Sequence, residues 1–182
     1  PAPATPSQPE REIGTAVGKT IPHFTVEAHD LSGDEPRVVQ FDSHARERTT
    51  VYVFMSKTCP WCDLYEDRLA EMSSTYGEKG VDFVTVYPTR ATPVEQKIAH
   101  FKKAEFAGLF LDDVDARVAA QLKITKTPEV MVVKKDGEIV FRGGIDDSPQ
   151  NVESVERAYL KDAIDAVLAG KQVETTGAPL YG

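Results

Sequence analysis

Residues 51–76 read VYVFMSKTCPWCDLYEDRLAEMSSTY, and their order decides the fold. Val51-Tyr52-Val53-Phe54-Met55 is an apolar, β-branched and aromatic run of the kind that forms a buried strand. It stops at the polar turn Ser56-Lys57-Thr58. Cys59-Pro60-Trp61-Cys62 follows, and then a helical pattern in which Leu64, Leu69 and Met72 recur on one face. The chain's two cysteines thus stand where a strand hands over to a helix. The first turn of a helix carries N–H groups without intrahelical partners and the positive end of the helix dipole. A thiolate is stabilised there, so a thiol pKa of roughly 8.5 can fall to about 3.5–7.5. The spacing makes Cys59 the attacking sulfur and places Cys62 on the same side of the first turn, able to close a disulfide with it. Pro60 at the helix start removes only an N–H that would be unpaired anyway.

Two other uses of a C-x-x-C pair fit less well. A zinc site needs four ligands, and no second cysteine pair exists. His23, His29, His44 and His100 are scattered, with none in metal-ligand spacing, so no metal is expected. A structural disulfide closing so short a loop removes little entropy from the unfolded chain and is a poor staple. Redox chemistry is the reading that these residues support.

The 182 residues, 41% of them apolar, suffice for one core that buries about two-thirds of the unfolded chain's surface. The net charge is −8 with no basic run, which argues against nucleic acid or an anionic membrane surface as partner. No apolar stretch approaches the roughly 18 residues of a membrane span. The first residues, PAPATPSQPEREIGTAVGKT, are rich in Pro, Ala and Thr, and residues 1–17 are expected to form a flexible leader. The absence of an initiator Met suggests a processed protein with a signal peptide or anchor upstream, hence a periplasmic or otherwise extracytoplasmic location. A segment cut from a cytosolic protein is the alternative.

Residues 18–41 read as a β prelude, with strands near 21–26 and 37–41 around a turn at Leu31-Ser32-Gly33. After the redox helix, Gly77 and Gly80 break the pattern and residues 81–87 form the next strand. Strand, helix and strand in about 40 residues make a βαβ unit with a right-handed crossover. A helix is expected over 93–104, a short strand at Leu109-Phe110-Leu111, and a helix over 114–122. Asp112, Asp113 and Asp115 before that helix lack the glycine and terminal glutamate of an EF-hand loop and read as capping carboxylates. Residues 130–133 form a core strand preceded by Pro128, a position where a strand tolerates proline. Lys135-Asp136-Gly137-Glu138 turns into an antiparallel return over 138–142. A final helix is expected over about 151–169, with Val152, Val155, Tyr159, Ile164 and Val167/Leu168 inward, and residues 170–182 form a C-terminal tail. Residues 18–169 are one domain.

With C-x-x-C at a strand–helix junction, Thr127-Pro128 before a strand and Asp136-Gly137 turning the last hairpin, the chain resembles the thioredoxin-like superfamily. The nearer resemblance is to its TlpA/ResA-like thiol–disulfide oxidoreductase and redoxin branch, carried also by Phe110-Leu111-Asp112 and Gln121-Leu122-Lys123-Ile124 and covering about residues 18–169. It implies an α/β, thioredoxin-like three-layer fold with a mixed central sheet, the β prelude and an extra strand–helix insert. It also implies that Thr127-Pro128 is a cis-proline loop offering backbone groups to a bound substrate, and that Trp61 forms a hydrophobic rim around Cys59. Gly143-Gly144 would let the backbone turn beside that loop.

The sequence also departs from the pattern. Thioredoxin proper keeps a buried Asp six residues before the first cysteine, where this chain has Val53. Glu129 is the candidate proton acceptor for Cys62, against the reading of an exposed strand-edge carboxylate. Lys57 and Pro60 are candidate modulators of the cysteine pair. The peroxiredoxin pattern P-x-x-x-T-x-x-C is missing, with Tyr52 and Ser56 in place of its Pro and Thr. The expected activity is thiol–disulfide exchange with protein thiols and disulfides, needing a redox partner but no cofactor. A peroxiredoxin-like thiol peroxidase and a non-enzymatic thioredoxin-fold binding module are the alternatives.

Overall fold

The computed structural model describes residues 13–181. Seven strands form one mixed sheet: β1 (Thr25–Asp30), β2 (Arg37–Asp42), β3 (Thr50–Phe54), β4 (Asp82–Tyr87), β5 (Leu109–Asp112), β6 (Glu129–Val133) and β7 (Ile139–Gly143). Their order across the sheet is β2-β1-β5-β4-β3-β6-β7. β3, β4 and β5 run parallel to their neighbours within that trio, while the β1–β5, β3–β6 and β6–β7 pairs are antiparallel. The prelude is therefore a β1–β2 hairpin added to the sheet through β5.

Every residue of β3 and β6 is buried, because both faces of the sheet are covered. Side chains alternate between the two faces. Val51, Val53 and Met55 face a core built with α2 (Glu66–Glu78), α3 (Val94–Lys103) and α5 (Tyr159–Leu168). Tyr52 and Phe54 face the other core, closed by α4 (Arg117–Gln121) and by Ile21, Phe24 and Phe41 of the prelude. Helices, sheet and the α4–prelude layer make the three-layer α/β fold that the resemblance implied.

Three segments differ from the sequence reading. The helix expected after the cysteines is split into α1 (Pro60–Asp63) and α2. At the break the Tyr65 N–H reaches back three residues to the Cys62 carbonyl, Leu64 turns outward, and the Tyr65 hydroxyl donates to Asp146 Oδ1 at 3.0 Å. The helix expected from 114 begins only at Arg117, after the left-handed Ala116 (φ 53°). Asp113 accepts the N–H groups of Val118 and Ala119, whereas Asp112 pairs with the fully buried Lys97 and Asp115 with Arg90. Of the three acidic residues, Asp113 is the one that caps.

The final helix starts at Tyr159 rather than near 151. Asp147 Oδ1 accepts from the N–H groups of Glu156 and Arg157, and Asn151 Oδ1 from that of Glu153. Such side-chain bonds compete with helical ones, leaving one turn of 3-10 helix at 152–154 and Val152 exposed.

Most of the expected 1–17 leader lies outside the described residues. Ile13 bridges Thr20, and the Gly18 N–H donates to the Ile139 carbonyl. At the other end the chain runs back along β7. Val173 is buried, Arg142 N–H donates to the Thr176 carbonyl at 3.1 Å, and Gly177 bridges Arg142. A Cβ on Gly143 would lie 2.5 Å from the Ala178 backbone, and one on Gly144 2.2 Å from the Pro179 carbonyl oxygen. The glycine pair therefore makes room for the returning chain.

Candidate active site

Cys59 immediately precedes α1, with extended backbone (φ −96°, ψ 112°) and Pro60 as the first helical residue. Its carbonyl accepts the Cys62 N–H at 2.9 Å, which starts the helix. Cys59 is half-buried, Cys62 fully buried, and both are free thiols. Burial alone would raise the Cys59 pKa. Hydrogen bonds from the Thr127 side chain, from the Cys62 N–H and side chain, and from the Trp61 N–H outweigh it and hold the thiol below its ordinary value. Amides of the first turn thus lower the pKa of the sulfur, as the strand–helix placement leads one to expect.

Cys62 behaves oppositely. Burial pushes its thiol up to about 12, opposed by the Ser56 N–H that donates to Cys62 Sγ at 3.4 Å and reinforced by the nearby charge of Cys59. One sulfur is primed and the other held protonated, a division of labour set by depth. None of the groups that shift Cys62 most is a carboxylate.

The proline loop meets this pair. The Thr127–Pro128 bond is cis. Antiparallel pairing sets Phe54 opposite Glu129 and so brings the loop beside the end of β3. In the thiol form Cys59 Sγ donates to the Thr127 carbonyl oxygen at 3.1 Å. Beside the contact lies a groove of about 420 Å³ walled by Ser56, Pro88, Thr89, Ile124 and Thr127, with three alanines of α4 and its approach at the back.

The remaining expected residues fall in different places. Pro60 is exposed, as is Lys57, whose Nζ donates to Gln96 Oε1 on α3 at 3.4 Å; Lys57 is not among the groups that shift Cys59 most. Glu129 is not an exposed strand-edge carboxylate: it is 2% exposed. It also faces away from the site, since alternation along β6 puts it with Met131 and Val133 on the α4 side, whereas Cys62 lies in the opposite core. Arg142 Nε donates to Glu129 Oε1 at 2.5 Å. Burial raises the Glu129 pKa, and the hydrogen bond and charge of Arg142 oppose that rise without cancelling it. The guanidinium also donates to the carbonyls of Thr15, Leu122 and Lys123. Arg142 therefore ties the loop that carries Thr127-Pro128 to β7, a role that no local pattern announces.

Two further arrangements arise only in three dimensions. The hydroxyl of buried Tyr87 lies 2.8 Å from His100 Nδ1, and His100 Nε2 lies 2.6 Å from Glu66 Oε1. A carboxylate only accepts, so Nε2 carries the proton and, in the neutral ring, Nδ1 accepts from Tyr87. Asp63 joins Glu66 and His100 in a cluster whose potential ligand atoms lie within 4.8 Å of one another. Next to Pro60 in the chain, Trp61 is stacked by Tyr181, with ring centroids 5.9 Å apart and planes at 30°.

Comparison with known proteins bears on the fold that carries these residues. A hypothetical protein of Sinorhizobium meliloti 1021 superposes with a TM-score of 0.77 at 26% identity, covering 92% of each chain. A secreted Mycobacterium tuberculosis disulfide oxidoreductase homologous to E. coli DsbE shares the fold at 23% identity and a TM-score of 0.51, covering 63% of this chain and 79% of its own. The mitochondrial 2-Cys peroxiredoxin of Plasmodium falciparum shares it at 12% identity and 0.62, covering 84% and 94%. No curated protein sequence matches the chain. The model of the family described as Redoxin matches residues 16–159, which contain both cysteines, the cis-proline and the whole seven-stranded sheet, and the chain belongs to that family.

Proposed function

We propose that the protein is a thiol–disulfide oxidoreductase whose Cys59–Cys62 dithiol reduces disulfides of protein substrates. The observation that carries this reading is the placement of two free thiols at the start of one helix. Cys59 is partly exposed, with its Sγ 3.1 Å from the Thr127 carbonyl beside the cis-proline, and Cys62 is buried behind it, an arrangement that lowers the first thiol's pKa and raises the second's. The Cys59 thiolate attacks one sulfur of a substrate disulfide. A Cys59–substrate disulfide forms, and the first substrate thiolate leaves and takes a proton from water. Bond formation removes the negative charge that opposed ionisation of Cys62. Cys62 then gives its proton to the hydroxide left when the first thiolate was protonated, and attacks Cys59 Sγ. The second substrate thiolate departs, and the Cys59–Cys62 disulfide holds the oxidising equivalents. Two electrons have passed to the substrate, and a dithiol donor returns them. Trp61, Thr127 and Pro128 border the sulfur that the substrate approaches.

Insulin reduction with dithiothreitol as donor tests the reading. It is expected in the wild-type protein and lost in Cys59→Ser; activity surviving that substitution overturns the assignment. Peroxide is the competing oxidant within the family's fold, and sulfenic acid formation at Cys59 no faster than in free cysteine separates the two chemistries.

The compartment we propose is the cell envelope. Among the described residues no helix is long and apolar enough to cross a membrane. Thiol trapping of the native protein in fractionated cells locates it and reads its resting oxidation state.

A further inference from the structure

The chain that returns along β7 reaches the rim of the site at Tyr181. From Val173 to Ala178 it is fixed along β7 by the Arg142–Thr176 hydrogen bond, the Gly177 bridge and close packing over Gly143 and Gly144. Three residues later the Tyr181 ring lies on Trp61, two positions from the attacking sulfur. The Tyr181 hydroxyl also lies 3.4 Å from the Asp147 carbonyl oxygen. Offset stacking of this kind is favourable beyond the area that it buries.

We infer that the indole face of Trp61 is a subsite for an aromatic side chain of the substrate, occupied in the resting protein by Tyr181, which an aromatic substrate side chain displaces. The inference rests on the exchange reading above and deepens it. The chain's own tyrosine shows what the subsite accepts: a flat ring laid on the indole, delivered from an extended segment that runs beside the glycine pair. A substrate that carries tyrosine or phenylalanine next to its reactive cysteine meets the same requirements. It gains on docking what Tyr181 gives up. A substrate without a ring leaves Tyr181 in place and reacts through Cys59 and Thr127 alone.

Two short symmetrical peptide disulfides, differing only in a tyrosine or an alanine before the cysteine, separate these cases. Release of peptide thiol by the reduced protein is followed under second-order conditions. In Tyr181→Ala, where no ring has to be displaced, the tyrosine peptide is expected to react about 2- to 10-fold faster than the alanine peptide, the range to which an aromatic pair's roughly 0.5–1.5 kcal/mol converts. In the wild-type protein and in Tyr181→Phe the lost ring contact offsets that gain and the two rates converge, and Trp61→Ala abolishes the preference in the Tyr181→Ala background. Equal rates for the two peptides in Tyr181→Ala overturn the subsite. Iodoacetamide is too small to need it, and its rate with Cys59 should be the same with and without Tyr181. If neither peptide is reduced although iodoacetamide alkylates Cys59, the exchange reading fails and the substrate subsite falls with it. The Tyr181 contact is then judged separately by acrylamide quenching of Trp61, the chain's one tryptophan. Quenching should rise in Tyr181→Ala and not in Tyr181→Phe, and unchanged quenching overturns the contact.

Discussion

Cys59 Sγ and the carbonyl oxygen of Thr127 lie 3.1 Å apart although 68 residues separate them in the chain. Antiparallel pairing of β3 with β6 makes this contact, because each strand leads directly into one of the two segments. The attacking sulfur and the backbone beside which a substrate cysteine must lie are therefore held by the most buried pair of strands in the sheet.

Removing the resolving thiol should stop the reaction halfway. Cys62→Ser incubated with an oxidised protein substrate is expected to accumulate a dithiothreitol-sensitive adduct through Cys59, visible by intact mass. Cys59→Ser should give none. Adduct formation through Cys62 in the second variant would reverse the assigned roles.

The two thiols should separate in a pH titration. Iodoacetamide alkylation of Cys59 should fall off as pH drops, with its midpoint below the free-thiol value of about 8.5. Cys62 should stay inert until the pH nears about 12. Because folding raises the Cys62 pKa, its contribution to stability is complete below the unfolded value and is lost as pH rises towards the folded one. The reduced protein should therefore lose stability in that alkaline window, whereas the disulfide form, which has no Cys62 proton to lose, should not lose this contribution. Urea denaturation at a series of pH values reads the difference.

Glu129 and Arg142 should matter to the fold more than to proton transfer. Glu129→Ala leaves a guanidinium without its buried carboxylate, and breaking such a pair costs about 3 kcal/mol. The midpoint of urea unfolding should fall accordingly, while the alkylation midpoint of Cys59 stays in place. A shifted alkylation profile in a still-folded variant would return Glu129 to the proton path.

Gly143→Ala and Gly144→Ala should disturb the C-terminal chain. A methyl group at 2.2–2.5 Å from backbone atoms cannot be accommodated without movement, at a cost of about 1–3 kcal/mol. The movement should free Tyr181, so quenching of Trp61 should increase together with the loss of stability. Loss of stability without a change in quenching would uncouple the glycine pair from the rim.

The sheet and the cysteine pair were legible because their signals are local. β3, β4 and β6 are apolar runs buried on both faces, α3 carries its periodic face, and C-x-x-C lies at a strand–helix junction. What escaped depends on partners far along the chain. The break at Leu64–Tyr65 accompanies a hydrogen bond to Asp146, the late start of α5 involves bonds to Asp147, and the burial of Glu129 goes with Arg142 on the next strand. Tyr181 on Trp61 belongs with these: the two lie 120 positions apart, and neither neighbourhood carries a trace of that contact.

The bare backbone of Gly143 and Gly144 also has a practical side. Because it seats the returning chain so that the Tyr181 ring reaches the indole, anything attached at Tyr181 lies at the mouth of the site. An affinity tag, fluorophore or fusion partner placed there would report its own bulk in every rate measured with a protein disulfide. Labels for kinetic work belong on an exposed surface residue well away from that edge, such as Val38 on β2 at the opposite margin of the sheet.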